Sequence, residues 1–398
     1  MKLIALDLHQ DNFVTAILDR SQQSPSISSR RYGLDEESLA HFSAGLSKDD
    51  VIVVESTFNA FWLYHRIAAL VHSCHVLDTN AVHLRGNKTD KLDAKKLLEL
   101  LSTFVMTDTL DRMPTVFVPP KNVTKLRSLF STYRLLIKTA TQLRNRIHSV
   151  CRQNGIVIDR KELAAAKYRS TLLTAHRLDD YWSEQVETLL ETLDHTIHQI
   201  LRLKKAILSL GLVLFAHEIR LLTTIPGFSP LTAAAFMSDI ADIRCFPSAE
   251  KLCAYLRTAP SIRSSNLTRH LGPVSKRGRS LTVTFLTQSI NHLKTASPHY
   301  AEFYQRLRAG KSAGKCRIAL IRKTLTPAYY MLRRDTEFDY KNTVNYERKH
   351  QVMKTMLRGY QAPDLSKEEV STASWEKTLD NHHRCLGAVE GEMTFAGI

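Results

Sequence analysis

Over the first eighty residues the apolar positions fall in short runs of strand length, and beyond residue 120 they recur every third or fourth position. Ile4-Ala5-Leu6-Asp7-Leu8 and Val51-Ile52-Val53-Val54-Glu55 are aliphatic or β-branched runs, which predicts strands over 2–8 and 51–55. The same reading predicts strands over 12–19, 26–32 and 74–78, and helices over about 35–46, 59–72 and 89–104. Three leading strands followed by alternating helices and strands predict an α/β unit over 1–104, built on a mixed sheet. Residues 105–120 carry Pro114, Pro119 and Pro120 without a clear period and read as a linker.

The pattern then becomes helical. Leu126, Leu129, Tyr133, Leu136, Ala140, Leu143, Ile147 and Val150 alternate spacings of three and four, the heptad seam of a coiled coil. A second stripe, Val186, Leu190, Leu193, Ile197, Ile200 and Ile207, is interrupted only at Lys204. Residues 121–215 therefore predict two long helices that form an antiparallel hairpin or pair with another subunit. A mainly helical domain is expected over 216–340. It opens with Ile225-Pro226-Gly227-Phe228-Ser229-Pro230, similar to a helix-hairpin-helix turn with Ser229 in place of the usual second glycine. Such a corner either aims helix amides at a phosphate or simply joins two helices. Residues 341–398 mix charges with few aliphatic positions, so a poorly ordered tail or a small appended helix is expected.

Composition narrows the partner. The 398 residues are 43% hydrophobic, enough for two or three domains with cores, and the net charge of +16 favours a polyanion, nucleic acid before acidic membrane. No stretch reads as a membrane span and Asp7 interrupts the first apolar run, which predicts a cytoplasmic protein with no membrane partner. The six cysteines are scattered without metal-ligand spacing, and His9, near Asp7, reads as a strand-edge residue. Between Lys121 and Ile158 stand eight Lys or Arg residues and no acid, which favours a phosphate-contacting face over a merely solvated one. From Ser261 to Arg334 there are fifteen Lys or Arg residues against one acid, Glu302. Serines in this region, among Arg263, Arg269, Lys276 and Arg277, would either donate hydrogen bonds to phosphate or attack it.

Four carboxylates carry the strongest chemical signal. Asp7 and Glu55 interrupt aliphatic strands, where an acid costs stability unless it has a partner. Asp90 and Asp93 stand three apart in a predicted helix and share one of its faces, either as helix-capping acids or as ligands. Brought together, the four would demand divalent cations, and hard oxygen donors suit Mg²⁺ or Mn²⁺ acting on a phosphodiester.

With these motifs the chain resembles the DEDD transposases of the insertion sequence 110 family, relatives of the Piv-type DNA invertases, over most of residues 1–340. The resemblance rests on Asp7, on Glu55-Ser56-Thr57, on Lys88-Thr89-Asp90-Lys91-Leu92-Asp93-Ala94, on Ile225-Pro226-Gly227, on Tyr255-Leu256, and on the serine segment leading to Ser275-Lys276-Arg277-Gly278. It implies a RuvC-like domain of the ribonuclease H kind whose metal set, Asp7, Glu55, Asp90 and Asp93, binds Mg²⁺. It implies a nucleophilic serine five residues beyond Pro260, Ser265, with Ser264 next in line. Phe58 and Asn266 stand where members often have glycine. The resemblance further implies excision and insertion of a mobile element at double-stranded DNA sites chosen by an element-encoded RNA. A dimer or tetramer with composite sites would do this, holding RNA and DNA on Lys125, Arg127, Arg134, Lys138, Arg144, Arg146, Arg263, Arg269, Lys276 and Arg277. A metal nuclease using water, or a nucleic-acid scaffold without catalysis, are the competing readings.

Overall fold

A computed structural model describes residues 1–21, 26–79, 90–159, 162–176, 179–265, 268–275, 278–339 and 342–361, with backbone alone at 90–92, 162, 262–265 and 268–271. Met1–Lys121 belong to one compact unit, and most of the chain from Asn122 onward to a second.

In the first unit β1 (Lys2–Leu8), β2 (Asn12–Asp19) and β3 (Ile27–Gly33) form an antiparallel meander. After α1 (Glu36–Ala44), β4 (Val51–Glu55) lies parallel to β1; after α2 (Ala60–Ile67), β5 (Ser73–Leu77) lies parallel to β4. The order β3-β2-β1-β4-β5 is a mixed sheet consistent with the RuvC-like fold expected. Predicted ends shift by a residue or two, and the second helix stops earlier, at Ile67, where Ala68–Leu70 tighten into a 3₁₀ turn.

Both sheet faces are covered, because parallel crossovers lay helices on them. Ile4, Leu6, Leu8, Ile52 and Val54 point to one side and share a core with Leu39 and Phe42 of α1 and Leu63 and Ile67 of α2. Leu3, Ala5, Val14, Val51 and Val53 point to the other and pack with Ala94, Leu97, Leu98 and Leu101 of α3 (Asp90–Met106). The two-residue period of a strand thus decides which helix each side chain meets.

The predicted linker does more than connect. Thr115 bridges Leu77, Val116 N donates to Val76 O at 2.7 Å, and Asp78 N donates to Pro114 O at 2.9 Å. Met113 and Val118 are buried. The segment covers the outer edge of β5, whose backbone would otherwise lie open to pairing.

In the second unit α4 (Lys121–Gln153), α5 (Ala166–Ala175) and α6 (Asp180–Thr223) share a core in which Ala140, Ile147 and Val150 meet Leu172, Val186, Leu190, Leu193 and Ile200. Both heptad stripes are therefore used within one chain. The 44-residue α6 bends at Phe215, whose φ of −142° and ψ of 37° are not helical. Contrary to the sequence reading, α6 is long and apolar enough to cross a membrane by length and composition alone. Within its apolar C-terminal half Ile207, Leu208, Gly211, Phe215, Ile219, Leu221 and Leu222 are nonetheless buried inside the protein.

Beyond α6 come α7 (Pro230–Ile240), α8 (Ala249–Tyr255), a hairpin of β6 (Pro260–Ser265) and β7 (Thr268–Val274), and α9 (Leu281–Gln288). Helices α10 (Ile290–Ala296), α11 (Pro298–Arg308) and α12 (Ala313–Arg334) follow. Every residue of α7 is buried, and Ser229 caps it by accepting from Thr232 N at 3.1 Å. Gly227 has φ +84°, and a Cβ there would lie 2.6 Å from Leu293 Cγ. The glycine of the hairpin-like turn thus serves close packing on α10.

Part of the expected tail is the helix α13 (Thr343–Leu357), capped by Asn342. Lys349 Nζ donates to Thr223 O at 2.8 Å and Ile225 O at 3.2 Å, satisfying carbonyls at the end of α6. Burial there pulls its ammonium down to about 8.

Candidate active site

The register that builds the sheet also builds the site. Leu6 pairs with Val54, so Asp7 and Glu55 stand one step further on, at the carboxyl-terminal ends of neighbouring parallel strands. Asp7 continues the series Leu3, Ala5 and Glu55 the series Val51, Val53; both therefore lie on the face that α3 covers. Asp7 is only 3% exposed, and His9, just beyond the end of β1, has Nε2 3.4 Å from Asp7 Oδ2.

Helix α3 opens at Asp90, and positions 90, 93, 94, 97, 98 and 101 follow the stripe whose apolar members pack on the sheet. Asp93 is half-buried, with Oδ1 3.5 Å from Lys96 Nζ. The Asp90 side chain lies outside the described residues. Among the described residues no three acidic, histidine or cysteine side chains already close around a point at which an ion could sit. The donor set nonetheless fits a hard divalent cation: carboxylate oxygens only, one of them buried, on adjacent strand ends.

The serine segment forms the β6–β7 hairpin. Ser265 pairs with Thr268 and Ser264 with Arg269, which puts both serines at the end of β6. Their side chains, those of Arg263 and Arg269, and all of Lys276 and Arg277 lie outside the described residues.

The hairpin's root is held firmly. Ser275 N donates to Ala259 O at 3.2 Å, Arg279 N to Tyr255 O at 2.9 Å and Arg257 Nε to Gly278 O at 2.5 Å. Gly278 has φ +99°, and a Cβ there would lie 2.2 Å from Tyr255 O, so no other residue fits without moving the backbone at the end of α8.

Beneath the root is Asp239, 0% exposed, whose carboxylate accepts from Arg279 Nε at 2.9 Å and from Thr282 N and Oγ1 at 2.8 Å each. Its carbonyl accepts from Arg127 Nη2 at 2.8 Å and Tyr255 Oη at 3.2 Å.

Comparison with known proteins meets this architecture at both of its chemical regions. A profile of the DEDD transposases of insertion element IS110 matches residues 4–154, and one described as the transposase IS116/IS110/IS902 family matches residues 219–305. The chain belongs to the insertion sequence 110 family of transposases. A probable family 20 transposase of Pseudomonas aeruginosa is 22% identical over 299 residues, 72% of this chain and 85% of that protein. An insertion element IS110 protein of Streptomyces coelicolor is 29% identical over 129 residues, 32% of each chain. The pilin gene-inverting protein of Moraxella bovis is 26% identical over 162 residues, 40% of this chain and 47% of that one. The protein is a DNA transposase or recombinase, an enzyme of a DNA-binding family.

The transposase's basic residues divide into two groups. Arg134, Lys138 and Arg146 are exposed along α4 at helical spacing. Arg127, expected on phosphate, instead gives Nε to Ser238 O at 2.6 Å and Nη2 to Asp239 O, and burial lowers its pKa. Arg144 is half-buried, and burial together with the charge of Arg169 lowers its pKa. Lys125 is half-buried. An apolar helix carrying one acid, as α7 does with Asp239, was the signal available for this node; sequence reading passed over it because its partners are distant in the chain.

Proposed function

We propose that this transposase cuts and rejoins DNA at a phosphodiester held by Asp7 and Glu55 with Asp90 and Asp93, and that Ser265 is the nucleophile. The observation that carries the reading is the placement of Asp7 and Glu55 side by side on strand ends beneath α3. These acids would hold Mg²⁺ or Mn²⁺, which when bound neutralises charge on the phosphate and eases loss of a hydroxyl proton. Ser265 Oγ forms a bond to phosphorus, the bond from phosphorus to one flanking sugar oxygen breaks, and that oxygen leaves as a hydroxyl after taking a proton. In rejoining, a strand hydroxyl attacks the phosphoserine and Ser265 regains its proton. Arg134, Lys138 and Arg146 offer a polyanion-binding stripe, which supports an element-encoded RNA as guide alongside double-stranded DNA. A dimer or tetramer would bring the acid site of one subunit to the serine hairpin of another.

Trapping on an oligonucleotide that loses its leaving strand tests the nucleophile. The wild type is expected to give a covalent protein–DNA species whose DNA-linked peptide contains Ser265, and Ser265→Ala none. Cleavage with free ends and no adduct would replace serine by water; an adduct surviving in Ser265→Ala but lost in Ser264→Ala would move the role to Ser264.

A further inference from the structure

The turn between β4 and α2 exposes an aromatic ring to water. Phe58, three residues beyond Glu55, is 81% exposed. The turn that carries it is nonetheless fixed at several points. Thr57 N donates to Glu55 O at 2.9 Å and Thr57 Oγ1 to Asn59 Oδ1 at 2.9 Å. Asn59 Nδ2 donates to His9 O at 2.9 Å, and Ser56 Oγ lies 3.3 Å from Thr79 Oγ1. Phe58 is thereby tied to both strand ends that carry the acids, the His9 bond reaching two residues beyond Asp7.

The neighbouring helix extends the feature. Trp62, four residues on, is 39% exposed, and the Arg66 guanidinium, four further, lies 4.6 Å from the centre of its ring. Arg66 is held in turn by Glu36, with Nη1 donating to Oε2 at 2.8 Å. Trp62 and Arg66 therefore share one outward face of α2, and Phe58 stands in the turn that leads from Glu55 into that helix.

We propose that Phe58 is a stacking platform for an unpaired nucleotide adjoining the scissile phosphate. The inference rests on the reading that Asp7 and Glu55 hold that phosphate. A phosphodiester at the acids leaves its attached bases at the carboxyl-terminal strand ends, the edge of the sheet to which the Phe58 turn is fixed. In a closed duplex both faces of each base are already covered by neighbours, so only a base released from pairing offers a face. A phenyl ring has no hydrogen-bonding group and therefore reads no base identity, which suits an enzyme that must process different junctions at one site. The chain's net charge of +16 favours a polyanionic strand over an acidic or neutral protein surface as occupant.

The test uses the full-length chain carrying Ser265→Ala, so that binding is read without strand transfer and with the acids intact. The probes are a single-stranded oligonucleotide bearing a fluorescent adenine analogue and the matched closed duplex. Phe58→Ala in that background is expected to weaken single-strand binding about 10- to 100-fold. It should also abolish the quenching of the analogue, leave duplex affinity within about twofold, and be rescued by Phe58→Trp. Unchanged single-strand affinity and quenching would overturn the proposal. So would equal losses on both probes, or a change of oligomeric state on Phe58→Ala, which would make a second copy of the chain the occupant. Because stacking is read without chemistry, the acid reading fails separately, if Asp7→Asn in the otherwise unaltered protein still cuts DNA.

Discussion

Asp7→Asn is expected to lower the rate of DNA strand cleavage by about 10³-fold or more while leaving the protein folded, the loss of several kcal/mol of charge stabilisation at the phosphate. Asparagine keeps the size of the side chain and removes its charge. The carboxylate is nearly fully buried between β2 and β4 under α3, a placement that costs stability in the absence of a cation. Thermal unfolding of the variant should therefore occur at the same temperature as the wild type or slightly above it, the usual relation between a strained site and its neutralised form. Single-turnover cleavage and a melting curve on the same preparation check both halves. Retained cleavage would reduce Asp7 to a structural residue paired with His9.

Asp239→Ala carries the largest expected cost in stability. Its carboxylate is wholly buried and accepts three hydrogen bonds, from Arg279 Nε, Thr282 N and Thr282 Oγ1. Removing one member of a buried charged network leaves the others desolvated without compensation, which costs about 3–5 kcal/mol. Arg279 is itself partly exposed, so the lower end applies to that pair, and the orphaned Thr282 amide adds to it. The melting transition of the second unit should fall by about 10 °C. Asp239→Asn, which keeps an acceptor for Thr282 N, should lose less. Equal melting of wild type and Asp239→Ala would mean that the node is not what holds the hairpin's root.

How far the sequence reached depended on whether a residue's partners were near it in the chain. The five strands of the first unit were legible because each is a short apolar run with its own turn signals. Asp7 and Glu55 stood out as interruptions of those runs, and strand period puts each on the same side of its own strand as the apolar residues two and four before it, Ala5 and Leu3 for Asp7, Val53 and Val51 for Glu55. That they are neighbours follows from the parallel pairing of β1 with β4, a contact across more than forty residues that no local pattern encodes. The position of α3 over them is equally non-local.

The basic residues of α4 part company for the same reason. Arg127 and Arg134 are seven apart on one helix and alike in sequence, yet one is locked on carbonyls of Ser238 and Asp239 and the other is exposed. The proline-rich stretch after α3 looked like a linker because its order comes from the edge of β5 and not from a period of its own. Helix α13 was only half foreseen, since it has a single buried side chain, Met353, and owes its placement to Lys349 and His350 at the end of α6.

The central claim is that the acids on β1, β4 and α3 form one divalent-cation site. Mn²⁺ binding to the full-length protein, read by electron paramagnetic resonance and by anomalous scattering from a crystal, tests it most directly. The account predicts bound Mn²⁺ with Asp7 and Glu55 as shared ligands and an α3 acid completing the shell, and loss of that signal in Asp7→Asn. Mn²⁺ bound away from these residues, or bound equally well by Asp7→Asn, would contradict it.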